Sequence, residues 1–227
     1  MTMQPETGAP ISAQATTLRE GAKALGIELD AQQEATLLGY VGMIGKWNRV
    51  YNLTAVRDEG EMMVLHLLDS LAVVPALRRH FDGRTASIMD VGSGAGLPGV
   101  VLAAVMPELT VTCVDTVGKK ASFVRQVSAE LKLKNLRSEH ARVEQLVIPP
   151  VQLITSRAFA SLVDFTTLTR QHLAPEGVWM ALKGKAPADE IGALPKDLSV
   201  FHVEQLQVPG LDAERCLIWI RPEAHAA

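Results

Sequence analysis

The residues that carry the most chemistry in this sequence lie in one short stretch, Asp90-Val91-Gly92-Ser93-Gly94-Ala95-Gly96. It follows the apolar run Ser87 to Val91 and precedes a segment of helical character from about Leu97 to Met106. A doubly wound parallel sheet builds its ligand crevice at such a strand–glycine turn–helix junction. Glycines there permit positive φ angles and let a ligand approach the backbone closely. A little over 20 residues later, Asp115 ends the next apolar run. A carboxylate at that point can accept hydrogen bonds from both hydroxyls of a ribose. Glycine turn and strand-end acid together read as a nucleoside cofactor site. A shifted register, Gly94-Ala95-Gly96-Leu97-Pro98-Gly99, also satisfies the dinucleotide pattern G-x-G-x-x-G. In that register Asp90 and small or polar residues would stand where an apolar strand normally leads into the first glycine.

Other reactive groups are scattered more widely. Lys119, Lys120, Arg125, Arg137 and Arg142 follow the second strand and can form a phosphate-binding surface beside the cofactor, although charged runs usually make a solvated face. Lys183 and Lys185 follow the fifth strand on the same expected edge. His66 and Asp69, at i and i+3, share one helix face, where a helix-organising hydrogen bond is the simplest role. Asn48, Asn52 and Thr54 shape the turn between two helices, and Trp47 with Tyr51, at i and i+4, reads as core packing. Cys113 and Cys216 fall in apolar strands, read as buried thiols, and cannot by themselves supply a structural zinc site; no metal centre is expected.

The elements that must position these groups change character near residue 86. Before it the chain reads as helical. Leu18, Ala22 and Leu25 mark a first short helix; Asp30 to Gln33 has capping-box spacing ahead of Leu37, Val41, Ile44 and Trp47; and Met63, Leu67, Leu71 and Val74 give a further amphipathic stripe. His80 to Thr85, with Asp82-Gly83, reads as a linker. From Ala86 strands and helices alternate, the mark of a parallel sheet with covering helices. Strands are expected at 87–91, 109–114, 136–139, 151–155 and 178–182. A closing pair, Val200 to Val208 and Arg215 to Arg221, reads as antiparallel because only Pro209-Gly210 and a short polar stretch separate them. The resulting organisation is a disordered tail over 1–16, a helical N-terminal cap over 17–85, an α/β domain over 86–222 and a tail over 223–227.

Composition sets limits on function. The chain of 227 residues is 48% hydrophobic and 21% charged, ordinary for one globular domain with an extension. No apolar stretch follows a basic start, and the run Val100 to Met106 is far short of a membrane span, so a cytoplasmic protein without a membrane role is expected. The formal charge of −3 disfavours a protein that coats duplex nucleic acid, which needs many phosphate contacts, but not one that visits a single RNA loop through a local basic patch.

In the register beginning at Gly92 the glycine loop resembles the acid-x-Gly-x-Gly-x-Gly motif of class I methyltransferases, whose loop carries the methionine part of S-adenosylmethionine. Five motifs in order make the resemblance more specific. They are Trp47 to Thr54, His66 to Leu71, Asp90 to Gly99, Lys119-Lys120 with Phe123, and Ser156-Arg157-Ala158-Phe159. This set is similar to the ribosomal RNA methyltransferase G family, also called glucose-inhibited division protein B, from about Leu37 to Arg221. The resemblance implies a class I Rossmann-like fold with a mostly parallel seven-stranded sheet. It also implies methylation of guanine N7 in a loop of 16S ribosomal RNA, with S-adenosylmethionine as cofactor and the 16S RNA or small ribosomal subunit as partner; a monomer is expected, although the sequence leaves the oligomeric state open.

By the same resemblance Gly92, Leu97, the Val143-Glu144 pair and Arg157 contact the cofactor, together with Asp90, Gly94 and Gly96 of the loop. Lys119, Lys120, Arg142, Lys183, Asn52 and His66 face the RNA. Arg157 also suits a phosphate or guanine O6, with a strand-end salt bridge as its alternative role. Phe159 suits stacking on a base or core packing. Guanine N7 has a free lone pair, so no general base is expected. No Asn/Asp-Pro-Pro-aromatic motif of amine methylation follows the fourth strand, and neither cysteine lies where C5 methylation of cytosine would need a nucleophile. An NAD-dependent oxidoreductase and a non-catalytic ribosome-assembly module remain the rival readings.

Overall fold

The computed structural model describes residues 12–223. Most of both expected tails, 1–11 and 224–227, lies outside the described residues. The N-terminal boundary moves within them: Ser12 accepts a hydrogen bond from the Ala15 amide and starts helix α1 (Ala13–Ala24), so residues 13–16 are helical rather than tail. Helix α2 (Ala31–Tyr51) opens on the expected capping box, with the Gln33 amide donating to the Asp30 carboxylate and the Asp30 amide to the Gln33 side chain. It ends at Asn52, whose left-handed conformation (φ 48°) turns the chain out of the helix.

The stripe from Met63 to Val74 is not one regular helix. A first turn, α3 (Glu59–Met62), runs into a π-helical segment, Met63–Leu68, and then into α4 (Asp69–Leu71) and α5 (Val74–Phe81). The extra residue in a π turn shifts the helical register, and such turns occur often at functional sites. Here it delivers His66 and Asp69 toward the sheet edge. The stretch Glu59–Phe81 is long and apolar enough to cross a membrane, which the expectation from Val100 to Met106 overlooked. Its apolar side chains, among them Met62, Met63, Leu67 and Leu71, are spent inside the protein core.

The sheet has seven strands: β1 (Ala86–Val91), β2 (Leu109–Asp115), β3 (Leu136–His140), β4 (Val151–Ser156), β5 (Leu173–Lys183), β6 (Leu198–Leu206) and β7 (Arg215–Pro222). Their order is β3-β2-β1-β4-β5-β7-β6. The first five run parallel, and β7 lies antiparallel between β5 and β6. Helices α6 (Gly99–Val105), α7 (Gly118–Glu130), α8 (Leu162–Thr169) and the short α9 (Ala188–Gly192) complete the fold.

Alternation along the strands sends side chains to both faces. Ile88, Val111, Leu153 and Met180 enter a core shared with the N-terminal helices, α6 and α7. Met89, Ile154, Trp179 and Ile218 enter a second core with Leu162 and Phe165 of α8. Because neighbouring strands leave β1 in opposite directions, toward β2 and β4, the crevice for a ligand opens at the carboxyl ends of these three strands. Strand β5 starts five residues before the expected Val178. Pro175 and Gly177 disguised it as loop, and the β4–β5 register is irregular there.

Candidate active site

The glycine loop hangs on the end of β2, with the amides of Gly92 and Ser93 donating to Val114 O at 2.8 and 3.2 Å. Gly92 has φ 69°, and a Cβ there would sit 2.8 Å from the Cβ of Ala158, so the turn after β4 approaches the loop as closely as a bare backbone allows. Tyr40 of α2 braces the loop from the other side, its buried hydroxyl donating to Ala95 O at 2.7 Å. The helical cap is thereby tied to the loop that it covers.

Asp115 ends β2 and is 7% exposed. Its Oδ2 accepts from the Gly94 amide at 2.9 Å and its Oδ1 from the Val117 amide at 2.8 Å. Two backbone donors hold the carboxylate in one orientation and leave each oxygen a further lone pair. It forms one wall of a cleft of about 360 Å³, whose other walls include Gly92, Val117, Lys120, Val143, Glu144 and Phe159. The Val143–Gln145 turn is clamped from behind, since Val143 O contacts the His172 Nε2 at 2.7 Å and Glu144 O accepts from Gln171 at 3.0 Å. The cleft thus offers an acidic acceptor, a bare glycine backbone and an apolar wall in one place, which is what a ribose, an amino-acid chain and a base require.

A second hollow of about 310 Å³ lies beside it, walled by Asp69, Arg157, Lys183, Gly184 and Arg215. Asp69 is 5% exposed and is held by two guanidinium groups: Arg157 Nη1 reaches its Oδ2, and Arg215 Nε its Oδ1, each at 2.8 Å. The two hollows share the turn after β4, with Arg157 facing one and Ala158 and Phe159 the other.

The family model described as rRNA small subunit methyltransferase G matches residues 33–218. The chain belongs to this family. A protein of Methylibium petroleiphilum named ribosomal RNA small subunit methyltransferase G is 57% identical over 216 residues, which cover 94% of this chain and 98% of that one. One of the same name from Polaromonas sp. is 59% identical over 214 residues, 92% and 94% of the two chains. Among solved structures, TrmN from Thermus thermophilus matches with a TM-score of 0.54 at 20% identity, covering 71% of this chain and 53% of that one. A SAM-dependent methyltransferase from Aquifex aeolicus matches with a TM-score of 0.52 at 16% identity, covering 64% and 87%. These structures establish the class I methyltransferase fold. The methyltransferase register of the glycine loop therefore displaces the dinucleotide register.

Within this methyltransferase G frame, several expected site residues stand elsewhere than the sequence suggested. Gly92, Asp115, Val143 and Glu144 border the cleft. Gly94 contributes through its amide to Asp115. Asp90 does not reach the cleft: it has no exposed surface, and its Oδ2 accepts from the Gly99 amide at 2.9 Å, so it supports the start of α6 from beneath. Burial pushes its carboxyl up to about 7. Leu97 is also buried in the core, and Gly96 is required for packing, since a Cβ would lie 2.4 Å from Val100 Cγ2. Arg157 lines the second hollow rather than the cofactor cleft, and the expected alternative, a strand-end ion pair, is formed with Asp69.

The expected RNA contacts divide in the same way. Lys120 and Arg142 border the cleft, and Lys119 donates to Tyr51 O at 2.8 Å. Lys183 is not free for phosphate, because Glu190 holds it at 2.8 Å. His66 is buried and does not pair with Asp69; its Nε2 meets Thr54 Oγ1 at 2.8 Å, and burial lowers its pKa, leaving a neutral ring suited to shape the loop rather than to bind phosphate. Asn52 is exposed and accepts from Arg57 at 3.1 Å. Phe159 packs against Phe165, ring centroids 5.3 Å apart, while also lining the cleft. Sequence reasoning missed Arg215, which the pairing of β7 with β5 brings to Asp69 and whose place in an apolar closing strand gave no signal.

Proposed function

We propose that this protein methylates N7 of a guanine in 16S ribosomal RNA with S-adenosylmethionine as the donor. The observation that carries this is the adjacency of the two hollows across one turn: an acidic, glycine-walled cleft on one side and an arginine-walled hollow without a free base on the other. Family membership supports action on small-subunit ribosomal RNA, and the cleft fits the donor's parts. Asp115 takes the ribose hydroxyls, the Gly92 backbone the methionine chain, and the Val143–Glu144 turn the adenine. The bound donor supplies an electrophilic methyl group on a sulfonium centre.

The chain's own residues then have to position and shield. Asp69 fixes Arg157 so that its guanidinium is presented to guanine O6 or to a neighbouring phosphate. Arg215 is fixed by the same carboxylate. Both arginines hold Asp69 as a bound acceptor and His66 is occupied by Thr54, so neither is placed to remove a proton. That suits N7, whose lone pair is already exposed; alignment and exclusion of water are then the main contributions.

The test is methyl incorporation from labelled S-adenosylmethionine into small subunits and naked 16S RNA, followed by nucleoside analysis. Label in 7-methylguanosine, lost with Asp115→Ala, is the expected result. Label in another nucleoside would refute the N7 target, and donor binding with no transfer to either substrate would favour a non-catalytic assembly factor.

A further inference from the structure

We propose that the end of α2, with Tyr51 at its tip, is the surface that grips the single-stranded RNA beside the target guanine, the Tyr51 ring serving as a stacking platform. The inference rests on the methyltransferase reading and extends it to a substrate-docking face.

Two neighbouring large side chains stand exposed at the end of α2. Here Val50 is 70% and Tyr51 46% exposed. Sequence spacing suggested that Trp47 and Tyr51 pack together in the core, and only half of that holds. Trp47 is partly buried, stacked edge-on against Phe123 with centroids 5.3 Å apart, and the Tyr51 ring lies over it at 4.9 Å. Tyr51 is thus an aromatic ring backed by another ring and open on its outer side, the arrangement that binds an unpaired base.

Charge chooses between RNA and protein as the occupant. Arg57 and Lys119 flank this tip, Arg57 donating to Asn52 Oδ1 at 3.1 Å and Lys119 to Tyr51 O at 2.8 Å. Among the described residues neither of them forms a salt bridge. The exposed Tyr51 ring is therefore accompanied by two cations that no carboxylate pairs among the described residues, which suits a phosphate backbone beside a stacked base.

Position adds the third argument. Lys119 reaches Tyr51 O, while its neighbours Val117 and Lys120 line the cofactor cleft. On the other side the loop from Asn52 runs to Thr54, which holds His66 in the segment that carries Asp69 to the second hollow. The surface is continuous with both halves of the site.

The experiment uses the full chain and measures KM for RNA, affinity for S-adenosylmethionine and the salt dependence of RNA binding. Tyr51→Ala should raise the RNA KM by roughly 5- to 100-fold, the range of a lost aromatic stack, while Tyr51→Phe keeps it. Arg57→Glu with Lys119→Glu should weaken RNA binding and flatten its dependence on salt, with cofactor affinity unchanged. Unchanged KM and salt slope in all three proteins, with active wild type, would overturn the docking face and leave the methyltransferase reading intact. An inactive wild type would remove both. If Tyr51→Phe lost as much as Tyr51→Ala, the hydroxyl rather than the ring would be the contact, and the stacking platform would be refuted.

Discussion

Asp90→Asn isolates the energetic consequence of a carboxyl with no exposed surface. Desolvation is the main cause that raises its pKa from 3.8 to about 7, against the lowering effects of the Gly99 amide and of Arg157. The folded state therefore binds the proton more tightly than the unfolded chain. The stability this gives is fully present below pH 3.8 and is lost as pH rises through 7. At 1.36 kcal/mol per pKa unit the whole effect is about 4 kcal/mol, more than half of which falls between pH 5 and pH 8. An asparagine keeps an acceptor for Gly99 and does not titrate. Urea unfolding of both proteins at the two pH values should show the variant gaining roughly 2–3 kcal/mol on the wild type as pH rises. Contributions from other titrating groups cancel in that difference. A difference that is flat within about 0.5 kcal/mol, or that shrinks with pH, would refute the argument that burial raises the Asp90 carboxyl to about 7.

Three further outcomes follow from the site geometry. Asp69→Ala leaves two guanidinium groups facing each other without their shared acceptor, and should cost roughly 3–5 kcal/mol in denaturant unfolding. Tyr40→Phe removes the hydroxyl that braces Ala95 O and should cost about 1 kcal/mol, seen as a fall of roughly 2–4 °C in Tm. Gly92→Val places a branched side chain at φ 69° against Ala158; S-adenosylmethionine affinity should fall at least about 10-fold by calorimetry, and an unchanged affinity would exclude this backbone from the cofactor site.

The parallel sheet, its glycine turn and the strand-end Asp115 were legible because each follows from local pattern: apolar runs of strand length, a turn only glycines accept, and an acid where the second run stops. What was not legible depends on depth and on distant pairing. Asp90 belongs to the cofactor motif in sequence, yet its position on β1 sends it beneath the loop to Gly99. His66 and Asp69 share a helix face on paper, but the π turn and the arrival of β7 give each a different partner. Lys183 looked like a phosphate ligand until Glu190, on a helix too short to show periodicity, was found to hold it. Tyr51 erred in the opposite sense, since spacing from Trp47 shows that two rings touch but not that the second has an open face.

The placement of β7 has a consequence for how the enzyme is made. The strand that comes last along the described chain is an inner strand of the sheet, hydrogen-bonded to β5 on one side and β6 on the other, and Cys216 to Ile220 are buried. During synthesis β1 to β5 can assemble with the cofactor cleft while β6 has no partner, because chains fold from the N-terminus as they emerge. Arg215 reaches Asp69 only when β7 slots in. Until that happens the nascent chain can possess a donor-binding half without the complete second hollow, so β7 works as a latch on assembly: ribosomal RNA meets a finished site only after β7 has been made and has joined the sheet.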